Sequence, residues 1–531
     1  MRPRRARCAP STLCTIAALV GSAAAAEPTE HRGPSWDLRH GPLKVSADHR
    51  YLVHADGTPF LYLGDTAWEL FHRLGREDAE HYLETRRRQG FTVVQAVLLA
   101  EFDGLDEPNA YGHRPLVAHD PARPDVKPGP GNDYWDHVDD VVRLAAAKGI
   151  YVGMLPTWGD KAGPKKWGQG PVIFDPDNAR LYGRFLGKRY RGAPNVIWIL
   201  GGDRPAADKE KHAEPTEPQR FLPPTWGRTG GGVDERTADF RPVWRALAAG
   251  LREGDGGRHL ITYHPMGDRS SSEWLHGEPW LDFNMLQSGH SARDLPNYQM
   301  IAADYRRVPP KPVLDGEARY EDHPINWKPE NGWFDEYDVR QAAYWALFAG
   351  AFGHTYGCHD VWQFLAPGRK PVSSARTDWR KAIELPGAWQ MGHVRRLLLS
   401  RPFLSRVPDP SLVVDGQGTG ADHVEATRDA GGAYAFVYVP TGRTVAVDLD
   451  RLSGAHVKAW WFDPRQGTAQ PIGEWPRAGR RAFDPPGEPG RGNDWVLVLD
   501  DAGRGFSAPG RTPRPLSGRA RDRDTRRKAS Y

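Results

Sequence analysis

The 531-residue sequence predicts an α/β fold: a (β/α)8 TIM barrel followed by a small all-β sandwich. Two observations carry this. From about residue 59, short β-type runs alternate eight times with helical stretches, the pattern of βα units around a parallel sheet. From about residue 411 the texture changes to short alternating strands separated by Asp-Pro and Pro-Gly turns, which reads as a sandwich. Length agrees, because single cores stop growing beyond roughly 250–300 residues. The reading places the barrel at 40–400 and the sandwich at 408–501.

The chain opens with Arg2, Arg4, Arg5 and Arg7, an apolar run from Leu13 to Val20, and the small residues Ala23 to Ala26. The apolar run is far below the roughly 20 residues that span a bilayer, so residues 1–26 read as a cleaved signal peptide with no membrane span. Maturation near Glu27 implies a secreted or periplasmic protein. Cys8 and Cys14 leave with the signal, and the remaining Cys358 has no internal disulfide partner.

The eight strand-like runs are Phe60–Leu63, Thr92–Leu98, Ile150–Leu155, Val196–Leu200, His259–Tyr263, Asp282–Leu286, Pro312–Leu314 and Gly353–Tyr356. Helices are expected between them, at Arg76–Gln89 and Trp135–Lys148, where Gly90 and Gly149 supply the stop signal. Others are expected at Asn178–Tyr190, Asp239–Leu251, Leu295–Arg307 and Glu336–Ala349, with a further helix near Trp389–Leu399. The insertion from Arg204 to Arg236, rich in Pro, Gly and charge, reads as a long rim loop. Sandwich strands are expected at Tyr434–Val439, Thr444–Leu449, Val457–Phe462 and Trp495–Leu499. Residues 502–531, rich in Arg, Pro, Gly and Ser, read as a disordered basic tail.

Charge narrows the partners. The formal net charge is +4, but four arginines of the signal and a surplus of six positive charges in 501–531 leave the body six charges negative. A mildly acidic body argues against nucleic acid as the main ligand. Tryptophan, by contrast, is abundant at 20 residues, many beside Gly, Pro or Asp. Some fill the core, and the rest suggest flat platforms that suit the C–H faces of sugar rings.

In a barrel of this kind the site lies at the C-terminal ends of the strands. Strand one runs into Asp65 and Trp68, strand two into Glu101, strand three into Trp158 and Asp160, and strand four into Gly201-Gly202-Asp203. Strand five ends in His264, strand six in Gln287, strand seven in Asp315-Gly316-Glu317, and strand eight in Tyr356, His359 and Trp362. Asp203 and Glu317 stand out, because strands four and seven lie across the barrel and their ends can face one bond. Glycosidic cleavage needs that arrangement, one group protonating the departing oxygen while the other attacks or stabilises the sugar carbon. Asp203 should then have a raised pKa, from burial or its neighbour's charge, and Glu317 should stay ionised.

Blander readings compete. A Gly-Asp pair after a strand caps helices, and Arg204 is an adjacent partner for Asp203. Asp65 either binds a sugar hydroxyl or caps a helix, and Trp68 and Trp158 either stack on sugar or plug the rim. Glu101 and His264 lean towards the site, since buried charge there is costly without a use. Asp160, Gln287, Tyr356 and Trp362 complete the candidate substrate-binding set, and Asp315 is expected to support Glu317. There is no H-E-x-x-H, no Walker loop, no strand-linked G-x-G-x-x-G and no G-x-S-x-G elbow, which leaves cofactor-free hydrolysis without a metal.

Several segments together resemble the apiosidase-like glycoside hydrolases, glycoside hydrolase family 140 and its relatives. They are Pro59 to Leu70 (PFLYLGDTAWEL), Gly90 to Gln95 (GFTVVQ), Leu155 to Asp160 (LPTWGD), Ile197 to Asp203 (IWILGGD) and Pro312 to Glu317 (PVLDGE). The resemblance runs from about 40 to 500, and the C-terminal part is similar to the family's β-sandwich, labelled a collagen-binding domain. It implies a barrel with retaining chemistry, Asp203 matching the family's acid/base and Glu317 its nucleophile. It also implies removal of a pentose, apiose, from the pectic side chains of rhamnogalacturonan-II. Two alternatives stay open: an endo-acting β-glycanase on the same barrel, and a non-catalytic glycan- or collagen-binding protein.

Overall fold

A computed structural model describes residues 30–163, 167–207 and 239–511. The expected signal peptide, most of the rim insertion and the tail past Arg511 lie outside the described residues. Among the described residues no helix is long and apolar enough to cross a membrane.

Eight parallel strands form the barrel: β1 (Tyr62–Thr66), β2 (Val93–Val97), β3 (Tyr151–Leu155), β4 (Val196–Gly201), β5 (Ile261–His264), β6 (Asn284–Gln287), β7 (Val313–Glu317) and β8 (Gly353–Tyr356). Nearly all of their residues are buried, as expected of strands covered on both faces. β8 pairs with β1, Gly353 opposite Tyr62 and Tyr356 opposite Asp65. Between β5 and β6 the ladder is replaced by single bonds. The Asp282 N–H donates to the Ile261 carbonyl (2.9 Å), and the Thr262 hydroxyl donates to the Phe283 carbonyl (2.7 Å).

Strand one differs most from expectation. The apolar run Phe60–Leu63 is split, with Pro59–Phe60 pairing antiparallel to Leu52–His54 in a small N-terminal sheet and β1 starting at Tyr62. Asp65 therefore lies inside the strand and not beyond it.

The helices form where the chain supplies their ends. α1 (Arg76–Gln89) stops at Gly90, which takes φ 90° and donates to the Arg86 carbonyl. α2 (Tyr134–Ala147) is capped by Asp133, and α3 (Pro176–Tyr190) starts in a capping box of Asp175 and Asn178 with Pro176 at the first turn. α4 (Arg241–Asp255) lies against α3, with Gly254 so close that a Cβ there would sit 2.6 Å from the Arg184 carbonyl. α5 (Asn297–Tyr305), α6 (Glu336–Phe348) and α7 (Pro386–Leu399) complete the barrel's outer layer.

The C-terminal region holds nine strands: β9 (Arg406–Pro408), β10 (Val413–Asp415), β11 (Glu425–Asp429), β12 (Tyr434–Val439), β13 (Val445–Asp448), β14 (His456–Asp463), β15 (Thr468–Pro476), β16 (Arg480–Phe483) and β17 (Trp495–Asp501). Two antiparallel sheets result, one in the order β9-β11-β12-β17-β14-β15 and one in the order β10-β13-β16. One face of the larger sheet packs on α6, where Tyr344 stacks on Tyr438 (4.8 Å) and Phe348 on Phe436 (5.9 Å). Two buried bidentate ion pairs, Arg340 to Asp494 and Arg401 to Asp500, each with a closest approach of 2.7 Å, tie the sandwich to the barrel. The segment after β17 is placed as far as Arg511, with Phe506 under the Arg401 guanidinium at 4.8 Å. Order thus extends into the stretch expected to be a disordered tail.

Candidate functional site

The end of β4 delivers Asp203 through three successive left-handed residues, Gly201 (φ 87°), Gly202 (φ 110°) and Asp203 (φ 52°). A Cβ on Gly202 would lie 2.9 Å from both the Gly159 nitrogen and the Trp158 ring, and one on Gly201 would strike the His264 carbonyl. Glycine therefore lets this turn press between the ends of β3 and β5, and aspartate tolerates the left-handed position that follows. Among the described residues the next helix begins after Phe240, so Asp203 caps no described helix. Arg204 donates to the Asp203 main-chain carbonyl (2.9 Å) and to that of Trp167, so it acts on the Asp203 carboxylate through its charge and not through these hydrogen bonds.

His264, the last residue of β5, links the Asp203 backbone to the Glu317 carboxylate. The Asp203 N–H donates to its Nδ1 (3.3 Å), which assigns the ring proton to Nε2. Nε2 lies 2.9 Å from Glu317 Oε2, close but poorly aligned, so the contact is mainly electrostatic. On the other side His290 Nε2 lies 3.0 Å from Glu317 Oε1.

These surroundings separate the two acids. Burial raises the Asp203 carboxyl, and the Glu317 charge raises it further, to about 6, although Asp203 keeps a partial opening to solvent. Burial alone would also raise Glu317, but the contacts from His264 and His290 outweigh it and hold that carboxyl at about 2. Between those values one group keeps its proton while the other is an anion, which is the division of labour that acid and nucleophile chemistry requires.

The other expected residues divide into two groups. Trp68, Trp158 and His264 meet in one aromatic cluster, with ring centroids 5.3 Å apart for the tryptophan pair and 5.5 and 5.8 Å from the histidine. Trp68 and Trp158 are 2% exposed and Trp362 is 4% exposed, so all three wall the rim instead of offering open faces. Trp362 donates to His359 Nδ1 (3.2 Å). Gln287 pairs in register with Glu317 and is buried. Glu101 is fully buried with neither carboxylate oxygen hydrogen-bonded, and burial, then the Glu69 charge, pushes its pKa far up.

Asp65, Tyr356 and Asp160 are corrections. Asp65 accepts from Tyr82 (2.5 Å) and Arg86 (2.7 Å) of α1, because its position within β1 turns it to the helix layer. Tyr356, its neighbour in register, shares that face and donates to Glu321 (2.6 Å). Asp160 is buried against Lys161 (3.0 Å) and accepts the Gly170 N–H (2.8 Å), so it holds a loop in place. Asp315 accepts from Ser288 (2.9 Å) and Asn297 (3.0 Å), fixing the strand that carries Glu317 without touching its carboxylate.

Three contributors went unread in the sequence: His290, Tyr320 and His323. Tyr320 accepts the Trp68 indole N–H (3.1 Å) and its ring lies tilted against His290 at 4.3 Å, while His323 lies 4.6 Å from His290. His290 stands three residues past β6 and Tyr320 three past β7, so extending the search a few residues beyond each strand would have found them. Among the described residues no group of three or more His, Cys, Asp or Glu could hold a metal ion.

The family model described as "Apiosidase-like, catalytic domain" matches residues 46–405. Residues 407–500 match the one described as "Putative collagen-binding domain of a collagenase". Among solved structures, one described as a glycoside hydrolase is 35% identical, with a TM-score of 0.76 over 88% of this chain and 98% of its own. A family 5 glycoside hydrolase from Bacteroides vulgatus ATCC 8482 is 33% identical, with a TM-score of 0.79 over 91% of this chain and 98% of its own. Comparison with curated proteins found no match. With the catalytic-domain match spanning most of its length and two glycoside hydrolases similar almost end to end, the chain belongs to the apiosidase-like family and is a glycoside hydrolase.

Proposed function

We propose that the enzyme is a retaining, exo-acting hydrolase that removes a pentose, apiosyl-type residue from pectic or related plant polysaccharide, with Asp203 as acid/base and Glu317 as nucleophile. The observation that carries this is the opposed protonation of two carboxyls, about 6 for Asp203 and about 2 for Glu317, on residues that one histidine links through the Asp203 backbone N–H and the Glu317 carboxylate. Glu317 attacks the anomeric carbon while Asp203 gives its proton to the departing oxygen, leaving a glycosyl ester on Glu317. Asp203, now ionised, takes a proton from water as that water attacks the same carbon and frees Glu317. Placing imidazoles at both Glu317 oxygens keeps the nucleophile anionic and fixes its plane.

The family match supports the apiosyl-type linkage, and the closed wall of Trp68, Trp158 and Trp362 supports a pocket that accepts a chain end. The arginine-led apolar N-terminus supports export to where such polysaccharide is met. The test is hydrolysis of a panel of pectic and hemicellulosic oligosaccharides, with products sized. Single pentoses released by the wild type, and none by Asp203→Asn or Glu317→Gln in variants that stay folded, are expected. Release of oligomers alone would replace the exo reading with an endo one, and near-native rates in either variant would remove the residue assignment.

A further inference from the structure

Aromatic platforms for sugar need an open face, and the three rim tryptophans of the pocket wall are closed. Among the described residues Trp327 is the most exposed tryptophan, at 44%. It stands in the segment after β7, and its ring meets His290 at 5.9 Å and His323 at 5.6 Å, nearly perpendicular to both at 76° and 84°. His290 is one of the two imidazoles that reach Glu317, so Trp327 is one residue removed from the nucleophile.

The backbone there is unusual. Asn326 and Trp327 both take left-handed conformations, φ 55° and 57°, a genuine outlier for a residue as bulky as tryptophan. Neighbours impose it: the Asn326 N–H donates to the His290 carbonyl (2.9 Å) and the Trp327 N–H to the Pro324 carbonyl (3.0 Å), while Pro324 bridges to Trp333. Such strain persists only where the surroundings over-determine it, and it clusters at ligand clamps. Burial does not explain this case, because the strained turn lifts an indole out of the core. The two perpendicular imidazoles brace the ring from within, and its outward surface is free to take the C–H face of a sugar.

We propose that Trp327 is the stacking platform for the sugar ring adjacent to the one cleaved, a binding position that rests on the glycoside hydrolase reading of Asp203 and Glu317. The ring it takes belongs to an oligosaccharide, so a free monosaccharide bound only at the cleavage position does not engage it. The test uses Trp327→Ala and Trp327→Phe, each combined with Glu317→Gln to stop turnover. Binding of pectin-, arabinan- and xylan-derived oligosaccharides is measured by calorimetry, and wild type and Trp327→Ala are assayed for product in parallel.

Trp327→Ala is expected to weaken the best-bound oligosaccharide about tenfold, the scale of one aromatic stack. Trp327→Phe should recover most of that loss, with melting temperatures unchanged in both. Oligosaccharide affinity indifferent to Trp327→Ala overturns the platform, as does a failure of every oligosaccharide in the panel to bind. The two readings fail separately. Binding that depends on Trp327 without any product from wild type keeps the platform and removes the hydrolytic roles, whereas normal cleavage insensitive to Trp327 does the reverse.

Discussion

Raising the pH should switch the enzyme off by stripping the proton from Asp203. With that carboxyl at about 6, half the molecules carry the proton at pH 6. About one in eleven carries it at pH 7, and about one in a hundred at pH 8, from the ionisation equilibrium alone. Glu317, held at about 2, stays ionised throughout this range and contributes no limb to it. The profile of log kcat/KM on an unactivated glycoside should therefore be level near pH 4–5 and fall with a slope of about −1 above pH 6, since this parameter reports the free enzyme. A substrate whose leaving group is a dinitrophenolate needs no proton, and its glycosylation step should lack that limb. Asp203→Asn should retain kcat/KM on that substrate, releasing dinitrophenolate in a burst followed by slow hydrolysis of the glycosyl ester, and should lose the natural one. A profile flat from pH 5 to 8 on the natural linkage, or an alkaline limb that survives in Asp203→Asn, would remove Asp203 as the proton donor.

Other consequences follow from the same contacts. Because Asp203 has a folded-state pKa of about 6 against an ordinary 3.8, the folded protein holds a proton that the unfolded chain releases, so this group costs stability as pH rises from about 4 to 6 and fully above that. Asp203→Asn should thus melt higher than wild type at pH 8, by at most about 3 kcal/mol, and equally at pH 3; a lower melting temperature at pH 8 would contradict this. His290→Ala removes one of the contacts that offset burial at Glu317, so the Glu317 carboxyl should rise from about 2 and the acidic limb of kcat/KM should move up in pH; an unmoved limb counts against the contact. Asp65→Ala leaves Arg86 buried without its carboxylate and should cost about 3–5 kcal/mol by urea denaturation. The folded fraction of that variant should keep its kcat, and a collapse of kcat at unchanged stability would return Asp65 to the site.

The barrel was legible because each strand is a short buried β-type run set between helical segments that carry their own caps, such as Asp133, Asp175 and Gly90. Bounds were less so, as the splitting of Phe60–Leu63 between two sheets shows. That shift of a few residues decided the face of Asp65, since side chains alternate along a strand, and Tyr356 followed it through register. Asp203 and Glu317 were readable as chemistry-bearing residues at the ends of β4 and β7. His290, Tyr320 and His323 sit on irregular connections where no periodicity exists to mark them. In the sandwich, β15 escaped notice because it is an edge strand containing Pro471 and Gly473 and mostly open to solvent, so it lacks the apolar alternation that identified β12 and β17. β11 (EATRD) hid behind its charged residues.

The proposed retaining mechanism requires Glu317 to form a bond to the sugar. Incubation with a 2-deoxy-2-fluoro glycosyl fluoride of the released pentose, followed by peptide mass spectrometry, tests it most directly. A covalent adduct is expected on the peptide that carries Glu317, formed more slowly when His290 is removed and absent in Glu317→Gln. An adduct on a different carboxylate, or no adduct together with inverted product in the nuclear magnetic resonance spectrum, would contradict it.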